Sequence, residues 1–351
     1  MRPLPVSRPS AARIGFVRDL LNRPLRSLRL SVTDRCNLRC RYCMPEAHYE
    51  WLPRENLLSF EELTAVVDAA AGLGADRVRL TGGEPLLRRD LPALLRRLAA
   101  VEGLRDLALT TNGLLLADLA APLAAAGLRR ITVSLDTLSP ERYRALTGRD
   151  ALPRVLAGLE AAAAAGFAEL KLNTVVLAGQ NDDELPSIVA FAKEIGAEPR
   201  FIEYMDVGGA TSWTPGAVVS REGILRRLEA AFGPVEALAK TSAPAQRHRL
   251  LDGTVVGVIA STTDPFCARC DRARLTADGV LFTCLYARSG IPLRDALRRG
   301  EDPAALLRAA WSRRTDRGAE ERLRLGRSRL PLAPASALRE DPHLEMHTRG
   351  G

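Results

Sequence analysis

Every cysteine of this 351-residue chain falls into one of two trios, Cys36, Cys40 and Cys43, then Cys267, Cys270 and Cys284. A trio cannot pair off internally without stranding one thiol. In a long chain without an export signal, disulfides are disfavoured as well, so the clustering points to metal ligation. A cubane iron–sulfur cluster takes thiolate ligands at its four irons, so three cysteines close three corners and leave one iron free to bind a ligand. The first trio lies in CNLRCRYC, spaced C-x3-C-x2-C, which is tight enough for one loop to wrap one cluster. Arg35, Arg39 and Arg41 surround it, and guanidiniums there would favour a net-anionic cluster. The second trio is spaced C-x2-C-x13-C. A zinc knuckle is its alternative, but that needs a fourth ligand, and His48, His248, His343 and His347 show no zinc-like spacing to either trio.

The trios sit in an alternating grammar. Segments 28–33, 77–82, 107–112, 131–136, 170–175 and 200–205 are rich in Val, Ile, Leu and Thr and read as strands, with helical patterns between them. One helix should start behind Ser59, with Glu62 completing a capping box. Six βα units imply a parallel sheet. The unusual residues follow the strands: Cys36 to Cys43 the first, Gly82, Gly83 and Glu84 the second, Thr111 and Asn112 the third. Ser134, Asp136, Asn173 and Met205 sit near later strand ends. Convergence at C-terminal strand ends predicts an α/β fold, an incomplete (β/α)6 TIM-type barrel with its active face there. After Met205 the chain turns glycine- and proline-rich, and a hairpin is expected around Asp252-Gly253. The organisation expected is an N-terminal extension (1–25), a partial barrel (26–205), a smaller domain with the second trio (206–330) and a tail (331–351) ending in Gly350-Gly351.

C-x3-C-x2-C with Tyr42 before the third cysteine, followed one βα unit later by TGGEP (Thr81 to Pro85), resembles the radical S-adenosylmethionine superfamily. The second trio, in CARCDRARLTADGVLFTC, narrows the resemblance. Arg272 and Arg274 share one face of an extended segment beside it, as suits a polyphosphate. Together with the terminal diglycine, these features are similar to the GTP 3′,8-cyclase family of molybdenum-cofactor biosynthesis. That resemblance implies a lyase that converts GTP to 3′,8-cyclo-7,8-dihydro-GTP, with a C-terminal domain closing the barrel. It implies two [4Fe-4S] clusters, on Cys36, Cys40 and Cys43 and on Cys267, Cys270 and Cys284. S-adenosyl-L-methionine would meet Tyr42, Gly83, Ser134 and Met205. GTP would meet Arg29, Arg79, Thr110, Lys171, Arg272, Ala273 and Arg274, and the tail glycines Gly350 and Gly351 are catalytic candidates. An external electron donor and the next pathway enzyme, cyclic pyranopterin monophosphate synthase, are the implied partners, and the sequence leaves a homodimer open. Two positions depart from the family pattern: Asp271 stands in place of asparagine, and Arg349 precedes the diglycine.

Composition sets the bounds. A net charge of +8 is compatible with an anionic partner, whether nucleic acid, membrane surface or a phosphorylated small molecule, and the arginines are spread along the chain instead of forming one arm, which favours a small anion over nucleic acid. No stretch approaches the roughly eighteen apolar residues of a membrane span, and the proline-broken N-terminus lacks a secretory pattern, so cytoplasmic residence is expected. Two rival readings remain, another radical enzyme with an auxiliary cluster and a zinc-binding nucleic-acid module.

Overall fold

In SLRLS the leucines alternate with polar residues, so the first strand, β1 (Ser27–Ser31), buries Leu28 and Leu30 completely on one face and turns Arg29 to the other. This pattern recurs in the computed structural model, which describes residues 16–46, 48–326 and 329–350. The following strands are β2 (Arg77–Thr81), β3 (Asp106–Thr111), β4 (Arg130–Ser134), β5 (Glu169–Val176) and β6 (Glu198–Glu203). Each pairs in parallel with its neighbour in chain order. The crossovers carry α1 (Phe60–Gly72), α2 (Leu91–Ala99), α3 (Leu116–Ala125), α4 (Pro140–Thr147), α5 (Leu152–Ala164) and α6 (Leu185–Glu194). Their boundaries follow local chemistry. The Ser59–Glu62 capping box opens α1 as expected, and α2, α5 and α6 begin with proline in the first turn, where no amide partner is lost. Leucine and valine from helices and strands fill one continuous core between the sheet and its helical coat.

The rest of the chain carries α7 (Arg221–Phe232), β7 (Glu236–Ala237), β8 (Gln246–Arg249), β9 (Val255–Ile259), β10 (Arg272–Leu275), β11 (Val280–Phe282) and β12 (Ile291–Pro292). Helices α8 (Arg294–Arg298), α9 (Pro303–Ser312), α10 (Gly318–Arg324) and α11 (Ala335–Glu340) follow. The hairpin at Asp252-Gly253 joins β8 to β9. These strands extend the barrel sheet at both flanks: β10 runs parallel to β1, and β9 runs parallel to β6. The full order is β12-β11-β10-β1-β2-β3-β4-β5-β6-β9-β8-β7. Among the described residues no helix is long and apolar enough to cross a membrane.

Candidate active site

The first cysteine loop leaves β1 and is held by three neighbours. The Arg39 and Arg41 amides donate to Thr147 and Leu146 carbonyls at the end of α4, at 2.9 and 3.0 Å. The Tyr42 hydroxyl donates to Asp136 Oδ2 at 2.6 Å, and Asp136 Oδ1 accepts from the Val175 amide, so the loop is tied to the ends of β4 and β5. The loop after β2 supplies the third hold: the Gly83 amide donates to Thr33 O and the Glu84 amide to Arg35 O. A Cβ at Gly83 would lie 2.4 Å from the Arg35 carbonyl oxygen. Glycine here admits the backbone of the cysteine loop itself, a closer cause than approach to a ligand. Glu84 is buried, accepts from Thr111 Oγ1, the Asn112 amide and the Leu86 amide, and is pushed up to about 7 by burial. Arg39 donates to the Cys36 and Leu38 carbonyls and stacks on Tyr49 and Trp51, so its fork secures the loop backbone while its charge still acts on the Cys36 thiol.

Below this loop the inward faces of the strands enclose a cavity of about 300 Å³. Because alternate strand residues face the same way, Arg29, Arg79, Thr110 and Lys171 all line it, joined by Arg272 and Arg274 from β10. Arg79 donates to Thr110 Oγ1 and Thr132 Oγ1, both at 3.1 Å. Burial, and then the neighbouring guanidiniums, hold Arg29 well below its usual value and bring Arg79 to about 10 and Arg274 to about 9. Lys171 pairs with Glu169 and is nevertheless lowered to about 8 by burial and then by Arg200. The cations crowd one another and gain from a polyanion between them.

Sequence reasoning missed three cavity arginines, and each has a carboxylate partner. Arg77 meets Asp271 at 2.6 Å, Arg130 meets Asp106 and Glu169, and Arg200 meets Glu198 at 2.8 Å. Their in-strand spacing of two from Arg79, Thr132 and Ile202 was the available signal. Asp271, the departure that threatened to place a negative charge near bound phosphate, therefore has its charge compensated by Arg77. The Ala273 side chain is 1% exposed, packs in the core and does not line the cavity.

Cys267, Cys270 and Cys284 line the cavity together with Met205, whereas Cys36, Cys40 and Cys43 lie outside that lining. The tail runs between the two. Glu345 lies near enough to Cys43 to raise its thiol, and His347 packs edge-on against Tyr49 and Trp51. At the other end the Gly350 carbonyl accepts from Arg29 at 3.1 Å and from Arg274 at 2.8 Å. Gly350 has φ +65°, and a Cβ there would sit 1.9 Å from Thr81 Oγ1, so a side chain is excluded twice over. Arg349, the second departure, is 1% exposed, donates to the carbonyls of Leu285, Ala287 and His343, and stacks on Phe282 at 4.1 Å. Gly351 lies outside the described residues.

The donor chemistry fits iron–sulfur ligation at the first trio. All three thiols are free and half-buried, with desolvation raising Cys36 to about 11 and mutual charge adding to the rise at Cys40 and Cys43. Among the described residues no three His, Cys, Asp or Glu side chains converge as ligands of a single metal ion would. A cubane makes a different demand, one thiolate on each of three irons.

Residues 30–192 match the radical SAM superfamily, and residues 197–320 match the family described as Molybdenum Cofactor Synthesis C. The chain is 55% identical over 343 residues to GTP 3′,8-cyclase 1 of Mycobacterium tuberculosis, covering 95% of each chain. It is 49% identical over 321 residues to GTP 3′,8-cyclase of Acidothermus cellulolyticus, covering 87% of this chain and 88% of the relative. The same enzyme of Xanthomonas axonopodis is 48% identical over 324 residues. Among solved structures, Streptococcus suis SuiB bound to S-adenosylmethionine superposes with a TM-score of 0.59 at 16% identity, covering 82% of this chain and 68% of that one, a likeness of fold.

Proposed function

The chain belongs to the GTP 3′,8-cyclase family, radical S-adenosylmethionine enzymes of the first step of molybdenum-cofactor biosynthesis, and we propose a division of its site between two cysteine loops and the cationic cavity. In this reading Cys36, Cys40 and Cys43 hold the [4Fe-4S] cluster that binds S-adenosylmethionine, near Tyr42, Gly83, Ser134 and Met205. Cys267, Cys270 and Cys284 hold a second [4Fe-4S] cluster facing the cavity. Arg29, Arg79, Thr110, Lys171, Arg272 and Arg274 receive GTP. Ala273 contributes its main chain at most, since its side chain is in the core.

Bound at the first loop, the cluster and its cosubstrate supply one-electron cleavage and the 5′-deoxyadenosyl radical. The chain's own residues do the rest of the work. The ring of crowded cations holds the triphosphate, Arg79 is preset by Thr110 and Thr132, and the enclosed cavity keeps water and stray hydrogen donors from the ribose. The Gly350 carbonyl occupies donors of Arg29 and Arg274, so the tail is placed to sense or order the bound nucleotide. An external electron donor and transfer of the product to the next pathway enzyme complete the proposal.

The observation that carries it is the set of guanidiniums of Arg29, Arg79, Arg272 and Arg274, which have no carboxylate partner among the described residues and share one cavity with the second cysteine trio. Iron analysis of anaerobically purified enzyme tests the two-cluster part: about eight irons per chain and negligible zinc are expected, and about four would remove the second cluster. Anaerobic turnover with GTP and S-adenosylmethionine tests the substrate, since a cyclised guanosine product is required.

A further inference from the structure

The segment just before β1 folds back as a small turn, with Arg18 bridging Pro24 and Asn22 at φ +62°. It buries Asp19, whose side chain is fully enclosed. Asp19 accepts from the Arg23 Nε at 2.6 Å, from the Arg23 and Leu21 amides, and from Arg314 Nη1 at 3.2 Å. One carboxylate thus stands between two buried guanidiniums, one from each end of the chain. Both forks reach onward to the second cysteine loop. Arg23 Nη1 donates to the Cys267 carbonyl at 2.9 Å and to the Asp316 carbonyl at 2.8 Å, and Arg314 Nη1 donates to the Cys270 carbonyl at 2.8 Å. The indole of Trp311 donates to the Arg23 carbonyl, and the Arg314 guanidinium lies 4.5 Å over its ring. Further along, the Arg26 and Ser27 amides donate to the Asp271 carbonyl.

We propose that Asp19, Arg23 and Arg314 form a positioning clamp, in which the N-terminal segment sets the Cys267–Cys270 turn against the GTP cavity. The proposal rests on reading the second trio as a cluster site. Its physical basis is that the turn has little support of its own: Cys267–Arg269 is one turn of 3-10 helix without a side-chain cap. Two charge-assisted donors fix the carbonyls of two ligand residues, and Asp19 fixes both donors. Arg23 Nη2 is buried without a hydrogen-bond partner among the described residues, whereas Arg314 Nε lies 3.7 Å from Asp316 Oδ2, so Asp19 and Asp316 together balance the charge of the two guanidiniums.

Asp19→Asn removes the charge, and Arg314→Lys keeps it but loses the fork, so the second variant decides the matter should the first not fold. Hydrogen exchange of the anaerobic holoenzyme should quicken roughly tenfold or more at residues 268–271, while residues 28–43 stay within about twofold of wild type. Because the second trio shares the cavity, GTP is expected to change the electron paramagnetic resonance signal of the second cluster in the wild-type enzyme, and that change should be lost in the variants. S-adenosylmethionine cleavage without GTP should be retained within about twofold, since the first loop is untouched. Unchanged exchange at 268–271 together with a wild-type GTP-induced signal in Arg314→Lys would overturn the clamp. A wild-type enzyme with only about four irons would overturn the cluster reading instead, and the exchange comparison would still decide whether these residues hold the turn.

Discussion

The two cysteine loops gather their trios by different physics. The first is local: its trio lies within eight residues, springs from one strand and is braced by the neighbouring strand-end loops of the same barrel. Its thiols are desolvated, and burial pushes Cys36 up to about 11. The second is assembled from afar. Cys267 and Cys270 lie on a short turn and Cys284 follows β11, with braces from Arg23, Arg314 and Arg349. There burial of Cys270 is more than offset by Arg272 and Arg314, which bring its thiol down to about 7. One loop is fixed by its own neighbourhood, and the other by residues from both chain ends. Damage to the first should therefore be confined to it, whereas the second should be sensitive to distant substitutions.

The sharpest break of this contrast is to remove one ligand from each loop. Cys36→Ala should abolish S-adenosylmethionine cleavage, and Cys284→Ala should keep cleavage but lose cyclised product, each with about four of eight irons remaining. Product analysis alongside iron content decides it, and loss of cleavage in both would erase the distinction. Next in size is the cation ring. Arg274→Ala should raise the GTP dissociation constant roughly 10- to 100-fold, as expected for a lost charge-assisted contact, with S-adenosylmethionine binding unchanged by calorimetry.

The tail should give a smaller effect. Gly350→Ala meets both a left-handed backbone and Thr81, and should lower kcat by about tenfold with a lesser change in KM. Arg349→Ile should fall short of that, because it loosens the anchor without blocking the carbonyl.

Lys171 sharpens the cavity side of the contrast through pH. Its lowered pKa means that the ammonium is half lost at about 8 and is lost progressively as pH rises through that value. GTP affinity should weaken by about three- to tenfold between pH 7 and 9, as one cation of the ring is lost. Lys171→Arg should flatten that profile in equilibrium dialysis. Smallest of all, Asp271→Asn should change GTP affinity by less than about threefold, because Arg77 already offsets that carboxylate. A large gain would show that Arg77 had been withheld from the substrate.

The legible part of the site was whatever sequence spacing alone could encode. The βα rhythm, the capping box at Ser59, the hairpin at Asp252-Gly253 and the common face of Arg272 and Arg274 follow from periods of two and 3.6 and from local capping. Arg77 and Arg130 stood on the same periodicity but could not be told from cavity-binding arginines, since their carboxylates, Asp271, Asp106 and Glu169, come from other segments; only Arg200 has its partner, Glu198, on its own strand. The burial of Ala273 was hidden for the same reason: a family position does not say whether side chain or backbone faces the cavity.

By itself the sequence determined that this chain builds parallel βα units, carries its cysteines in two trios and concentrates arginine on inward strand faces, all of which are properties of spacing along the chain. Only the tertiary structure decided which cations stay unpaired, that β9 and β10 continue the barrel sheet, that Arg349 anchors the tail, and that Asp19 and Arg23 brace a cysteine turn some 244 residues away in sequence. Charge pairing and brace contacts depend on distances through space, and burial then sets the energy of each, so no pattern along the chain could have fixed them.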